Sequence, residues 1–395
     1  MAPRANKIRV AVVWPGYRKY NLHFFELLKN DPRLEVSVLW VLDFRKDDPP
    51  PPDLLAGLSY RVLGARNIRI SGYGPRLFLR LCRSLWAMAG AADCVFTSTQ
   101  APLHSKLAFC IARLRGRKVF VKTEQWREFG RNSFLMRQYK KIDGYVMRHC
   151  DMLLPHGVSQ VRFARSLGVR PERIRVMPFL SDDLGRISRK RPGLRRELGL
   201  EERKVVLYFG RITPQKGLLD LLAAASRLKE RVPGLALLVC GGADSHFLDF
   251  RQAEPYEREC RDLAGKLPAG MAHFTGPVRP EDRQEYFAAA DLFVHPHTAM
   301  GELTDGWSLV LNEATSMSLP IVATDRVGAA ADLVEEGVNG FVVPAGDREA
   351  LADRIACLLE DEGKLQSFAL ASRRVFERYH RPERIVAVLL EAADG

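Results

Sequence analysis

Apolar residues run along this chain in two alternating rhythms. Short, β-rich apolar runs fall at residues 8–14, 36–42, 94–97, 119–121 and 152–155, then at 205–209, 235–240, 272–275, 292–295, 321–323 and 341–343. Between them the apolar period lengthens to that of a helix, as at 21–29, 75–89, 102–113, 133–148, 217–230, 281–289, 308–317 and 348–360. Strands that are apolar almost throughout are covered on both faces, and strands alternating with helices feed a parallel sheet. The fold class predicted is therefore α/β, with a doubly wound parallel sheet in each half of the chain, both Rossmann-like. At 395 residues the chain also exceeds the size at which a single core keeps growing. The apolar rhythm breaks over 182–203, an Arg-rich stretch with Pro192 and Gly193, which predicts a domain boundary there. The four prolines at 49–52 predict an extended loop inside the first half.

In open parallel sheets ligands bind beyond the carboxyl ends of the strands, in this case in the cleft expected between two facing domains. Two loops there carry chemistry. After the strand at 205–209 comes Gly210-Arg211-Ile212-Thr213-Pro214-Gln215-Lys216-Gly217, with a helix expected from Gly217. A guanidinium, an ammonium and the positive end of that helix would converge on one anion, as a diphosphate requires. Solvated cations on a plain loop are the alternative. After the strand at 292–295 comes the run Gly301-Glu302-Leu303-Thr304-Asp305-Gly306-Trp307-Ser308-Leu309, leading into a helix that holds Glu313. Asp305 would stand where free N–H groups of residues 306–309 meet a phosphate or a sugar hydroxyl. Glu313, about a turn and a half on, suits a bidentate grip on a ribose diol. An Asp at a helix start also serves as an ordinary cap, and Glu313 could lie on a solvated helix face.

Charge changes the picture for the first half. Residues 1–180 hold 32 Lys+Arg against 13 Asp+Glu, a net +19, whereas the remainder holds 28 against 34, a net −6. A basic face serves polyanions, and the pattern contains no nucleic-acid module, so an anionic lipid surface is the specific partner expected and nucleic acid is not. A solvated basic surface is the bland alternative. Residues 76–86, RLFLRLCRSLW, read as a basic amphipathic helix, and residues 131–148 mix Arg and Lys with Phe, Tyr and Met. Both suit a membrane interface, or equally helices packed on the sheet with Arg at the rim. The seven cysteines are scattered and form no C-x-x-C pair, which fits free thiols in a reducing compartment. With no apolar run of membrane-spanning length and no signal-peptide pattern, a cytoplasmic protein is expected, peripheral on the inner face of the cell membrane.

Over about 150 residues these pieces stand in an order that resembles one family. They are Tyr208-Phe209-Gly210-Arg211 with Lys216-Gly217, Leu238-Val239-Cys240-Gly241-Gly242, Phe274-Thr275-Gly276-Pro277-Val278, the run from Ala290 to Pro296, the block from Asp305 to Glu313, and Gly337-Val338-Asn339-Gly340-Phe341. The chain resembles the retaining glycosyltransferases of the GT-B fold, family 4 type. The resemblance implies two Rossmann-like domains. An acceptor-binding domain over 1–181 would include a crossover helix from 381–395, and a nucleotide-sugar-binding domain would cover 182–380. It implies transfer of a sugar from a UDP- or GDP-linked donor with retention, on an acceptor that is a lipid-linked saccharide or, alternatively, a soluble small molecule or protein. Arg211 and Lys216 would neutralise the diphosphate, and Glu313 would hold the ribose. Gly210, Gly242 and Val278 would line the donor, and the backbone of Gly306, Trp307, Ser308 and Leu309 would meet its sugar and phosphates. Asp305 stands where the family usually has the first Glu of an E-x7-E signature. In the first half the likeness is less specific: Gly16 would face the donor phosphates, and Glu124 is the polar group nearest the place where relatives carry a His. His156, His295 and His297 read as structural histidines. No cofactor or metal is expected, because metal-dependent transferases of the other major fold use Asp-x-Asp and no two Asp residues here are separated by one residue. A sugar-nucleotide epimerase would share the architecture but needs several acid/base groups around the sugar. A glycogen-type phosphorylase needs a lysine-bound pyridoxal phosphate and about twice the length, and a nucleotide-binding scaffold would leave Arg211, Lys216 and Glu313 without purpose.

Overall fold

The computed structural model describes residues 7–44, 49–65, 73–99, 103–126, 134–187, 193–243, 253–298 and 305–394. The chain divides into two compact units, Met1–Leu180 with Arg381–Gly395, and Ser181–His380. The first holds β1 (Ile8–Trp14), β2 (Leu34–Leu42), β3 (Ser59–Ala65), β4 (Cys94–Ser98), β5 (Lys118–Thr123) and β6 (Met152–Pro155). The second holds β7 (Lys204–Phe209), β8 (Leu235–Cys240), β9 (Ala272–Gly276), β10 (Leu292–His295), β11 (Ile321–Thr324) and β12 (Gly340–Val343). Each unit builds one six-stranded sheet, ordered β3-β2-β1-β4-β5-β6 and β12-β11-β10-β7-β8-β9, with every strand pair parallel. In both, the order reverses beside the unit's first strand, β1 or β7, the switch point at which open sheets bind ligands.

The central strands are apolar throughout because both faces are covered. In β1, Val10, Val12 and Trp14 join a core with Phe25, Phe96 and Leu154, while Ala11 and Val13 face a second core with Leu39, Leu85 and Val121. Each such burial contributes about 1.5–3 kcal/mol before the entropy of ordering is subtracted. The helix Pro382–Asp394 belongs to the first of these cores, through Ile385, Val386, Leu389 and Ala392.

Several of the described elements lack the sequence signal that marked the others. β3 is an edge strand whose Ser59, Tyr60 and Arg61 are exposed, so it has no apolar run to recognise. The helices Val158–Ser166, Ala253–Ala264 and Glu362–Tyr379 are amphipathic but largely polar, and packing decides them. Of the proline run only Pro52 departs from the expected loop: Pro51 is extended at φ −58° and ψ 140°, and Pro52 opens a short helix, Pro52–Ala56, where a missing N–H costs nothing. Among the described residues no helix is long and apolar enough to cross a membrane.

Candidate functional site

In the second unit three loops at the carboxyl ends of β7, β8 and β9 interlock through their backbones. Gly210 N–H donates to Cys240 O at 2.9 Å, Gly241 N–H to Gly276 O at 2.9 Å, and Ile212 N–H to Gly242 O at 3.0 Å. A Cβ on Gly241 would stand 1.8 Å from Gly210 O, so the approach requires glycine. These bonds bring Gly210 and Gly242 to one strand-end rim, with Pro277, the residue before Val278, where a Cβ on Gly242 would stand 3.3 Å from its ring.

The helix expected from Gly217 is preceded by a tight 3-10 turn, Pro214–Lys216, and begins at Leu218. Gly217 itself is left-handed at φ +68°, and a Cβ there would meet Pro296 O at 1.8 Å. The turn is held by Thr298, which donates from N to Gln215 O and from Oγ1 to Pro214 O, both at 2.9 Å. Lys216 is thereby pinned against the end of β10. Its Nζ donates to Asp305 Oδ2 at 2.6 Å, with both side chains mostly buried. The same carboxylate oxygen lies 3.4 Å from His295 Nε2, and Ser308 Oγ lies 3.1 Å from that nitrogen.

The roles expected of these residues change in detail. Asp305 does not cap the helix Leu309–Ser316; Ser308 is the cap residue, and its hydroxyl turns to His295 and makes no cap bond. Burial disfavours charge on Asp305, but Lys216 and His295 outweigh it and hold the carboxyl well below its usual range. Burial, with Lys216 nearby, lowers His295, and pushes His297 down to about 3. Asp305 is tied in turn to β11's following loop, since its carbonyl accepts from Gly328 N–H at 2.8 Å. The Trp307 ring stacks on Tyr379 with centroids 5.0 Å apart, and its Nε1 donates to Asn312 Oδ1 at 3.0 Å. Of the acid-bearing block, residues 301–304 lie outside the described residues.

Glu313 is no solvated face residue. Its side chain is 7% exposed and pairs with Arg283, Nη1 to Oε1 at 2.9 Å. Burial raises its carboxyl to about 7, against the pull of Arg283. Arg283 carries no motif signal; its helix, Arg283–Ala288, and Leu309–Ser316 are both bonded to the segment around Leu184, through Gln284 and Ser316.

In the first unit Gly16 lies just past β1 with its Cα close to Leu42, where a Cβ would stand 3.2 Å from Leu42 Cβ. Glu124, just past β5, accepts from Lys122 Nζ at 2.9 Å and has His156 Nε2 at 3.7 Å. Lys122 is buried, its ammonium 5.0 Å from the Trp14 ring and 4.4 Å from that of Phe179. Burial disfavours the Glu124 carboxylate, yet Lys122 and then His156 hold it below its usual range. Glu124 is thus the acid of a largely buried cluster, paired with Lys122.

Residues 190–375 match the family described as glycosyl transferases group 1. The chain is 29% identical over 208 residues, 52% of its own length and 51% of the relative's, to a GDP-mannose-dependent alpha-(1-6)-phosphatidylinositol monomannoside mannosyltransferase of Mycobacterium tuberculosis. It is 35% identical over 172 residues, 42% of its length and 38% of the relative's, to a D-inositol 3-phosphate glycosyltransferase of Corynebacterium efficiens. The matches therefore span about half the length of these curated relatives, or less. Among solved structures, HepE of Anabaena in complex with UDP superimposes with TM-score 0.75 at 19% identity, over 98% of this chain and 99% of that one. WaaG, a glycosyltransferase involved in lipopolysaccharide biosynthesis, does so with TM-score 0.65 at 17% identity, over 96% and 99%. The two doubly wound units are those of the GT-B fold.

Proposed function

We propose that this chain, whose residues 190–375 carry the group 1 glycosyl transferase domain, moves a sugar from a UDP- or GDP-linked donor to an acceptor with retention of configuration. The observation that supports this best is the Lys216–Asp305–His295–Ser308 cluster at the strand ends, leading into the helix Leu309–Ser316. An ammonium has three protons, so Lys216 can keep one on Asp305 and turn the others to a diphosphate. Arg211 and Lys216 would stabilise the charge that grows on the leaving diphosphate, and a diphosphate oxygen would take the acceptor's proton. Incubating the protein with UDP- and GDP-sugars should release the nucleoside diphosphate in step with acceptor modification. Turnover should survive EDTA, since no Asp-x-Asp pair is present to need a metal. Interconversion of the donor sugar with no release would favour an epimerase, and a strict requirement for added Mn²⁺ would overturn the metal-free reading.

The acceptor proposed is lipid-linked, reached from an anionic membrane surface. Relatives named for phosphatidylinositol acceptors support this, and so does the helix Pro75–Ala91. Its Leu81, Leu85 and Met88 are buried on the sheet, whereas Phe78, Leu79 and Trp86 are exposed beside exposed Arg76, Arg80 and Arg83. Arg80 and Arg83 also line a groove of about 590 Å³ with Arg61 and Ser84 over Leu39 and Leu63. The second basic segment shows Ile142 and Tyr145 exposed, with residues 131–133 outside the described ones. Each basic residue near such a membrane contributes about 1 kcal/mol, screened over roughly 8–10 Å. Binding to phosphatidylserine-containing vesicles should fall steeply with salt, and Arg76, Arg80 and Arg83 changed together to Glu should abolish it while donor hydrolysis persists. A protein that ignores such vesicles at low salt acts on a soluble acceptor.

A further inference from the structure

Glu313 is the sole charged residue of the helix Leu309–Ser316, and what faces it comes from elsewhere in the second unit. Arg283 reaches one carboxylate oxygen, Oε1, at 2.9 Å through Nη1, while its Nη2 donates to Asp182. The helix that carries Arg283 is itself anchored, since the neighbouring Gln284 Nε2 donates to Leu184 O at 2.8 Å and to Ile187 O at 2.6 Å. Behind Glu313, Ser316 Oγ donates to the Glu313 carbonyl at 2.8 Å and accepts from Leu184 N–H at 3.2 Å. The segment around Leu184 therefore clamps both helices. Among the described residues Arg283 is the one cation that forms an ion pair with the Glu313 carboxylate.

We propose that Arg283 is a positioning residue of the nucleoside site. By taking one oxygen of Glu313 it leaves the other to accept from the ribose diol of a nucleoside diphosphate, and so sets the preference for ribo- over 2′-deoxyribonucleotides. This rests on the reading above that Glu313 meets the ribose. An ionised carboxylate grips hydroxyl donors more strongly than a neutral carboxyl does, and its orientation decides whether it reaches them. Burial works against ionisation, raising the Glu313 carboxyl to about 7, and Arg283 is the group that opposes it. The other charges packed around this helix are paired among themselves. Arg373 joins Asp183 at 2.7 Å and donates to Ser316 O at 2.9 Å, and Lys216 with His295 serves Asp305 at the helix's far end. Asp182, bound through Arg283, holds the guanidinium in place.

The test measures UDP, GDP and their 2′-deoxy forms by calorimetry from pH 6 to 9, on wild type, Arg283→Gln, Arg283→Lys and Glu313→Gln. Wild type should bind the ribose forms more tightly as pH rises through about 7, the region of the Glu313 carboxyl. In Arg283→Gln that rise should move to higher pH. At pH 7 the ribose forms should lose about tenfold in affinity and the deoxy forms little, a tenfold change corresponding to one unit of displaced ionisation. Arg283→Lys should restore part of the ribose preference, and Glu313→Gln should remove the pH dependence altogether. A uniform loss for ribose and deoxy forms, with the pH profile unmoved in both Arg283 variants, would mean that Arg283 only holds the fold, and the proposal falls. If wild type itself binds ribose and deoxy forms alike at every pH, the reading of Glu313 falls together with that of Arg283.

Discussion

Lys216→Ala and Arg211→Ala are each expected to lower kcat by about 10²–10³-fold while changing donor affinity much less. The asymmetry follows from where the charge is. A bound nucleotide sugar has its diphosphate charge partly masked by the ester bond, and as that bond breaks one more negative charge localises on the leaving oxygens. An ammonium fixed in a dry, preorganised site stabilises the late charge more than the early one. Lys216 meets that description: its turn is bonded to Thr298, and Asp305 at 2.6 Å fixes the direction of Nζ. Single-turnover kinetics with a matched donor dissociation constant separate the two effects. Wild-type turnover in either variant would remove that residue from the chemistry, and a pure loss of donor affinity would make it a ground-state contact.

Asp305→Ala is expected to destabilise the second unit by about 3–5 kcal/mol, in addition to impairing turnover. The substitution leaves the Lys216 ammonium mostly buried without its counter-ion and removes the carboxylate beside His295. The pH dependence has a definite sign. Asp305 is held below its usual range when folded, so its ionised form stabilises the fold above about pH 4, the ordinary carboxylate value. That stability is lost as pH falls through the unfolded value toward the lower folded one. Scanning calorimetry at pH 7 and at about pH 2, below the unfolded value, should therefore show a large gap between wild type and variant at neutral pH that narrows in acid. An equal gap at both would assign the loss to the missing volume and not to the charge. Asp305→Asn, which keeps the shape and removes the charge, should reproduce most of the neutral-pH loss.

What was legible beforehand follows from the range of each interaction. Strands β1, β7, β8 and β10 could be read from local composition because a strand covered on both faces must be apolar at every position. The loops that follow them were legible for the same reason, since a doubly wound sheet puts its ligand loops at strand ends. That is enough to single out Arg211, Lys216, Asp305 and Glu313 from the sequence. The edge strand Ser59–Ala65 was not legible, because half its surface meets water and its pattern is that of a loop.

The sequence by itself determined the two doubly wound sheets, the loops at their strand ends and the acids and bases present there. Tertiary structure alone decided who pairs with whom. Lys216 and Asp305 are 89 residues apart, Glu124 and His156 are 32 apart, and Arg283 is 30 residues from Glu313. A side chain reaches only a few ångströms, so such pairs exist only where the sheet order brings distant loops together. That closure also sets the charge state. The same carboxyl group is driven below its ordinary range at Asp305 by a buried ammonium and up to about 7 at Glu313 by burial that one guanidinium only partly offsets.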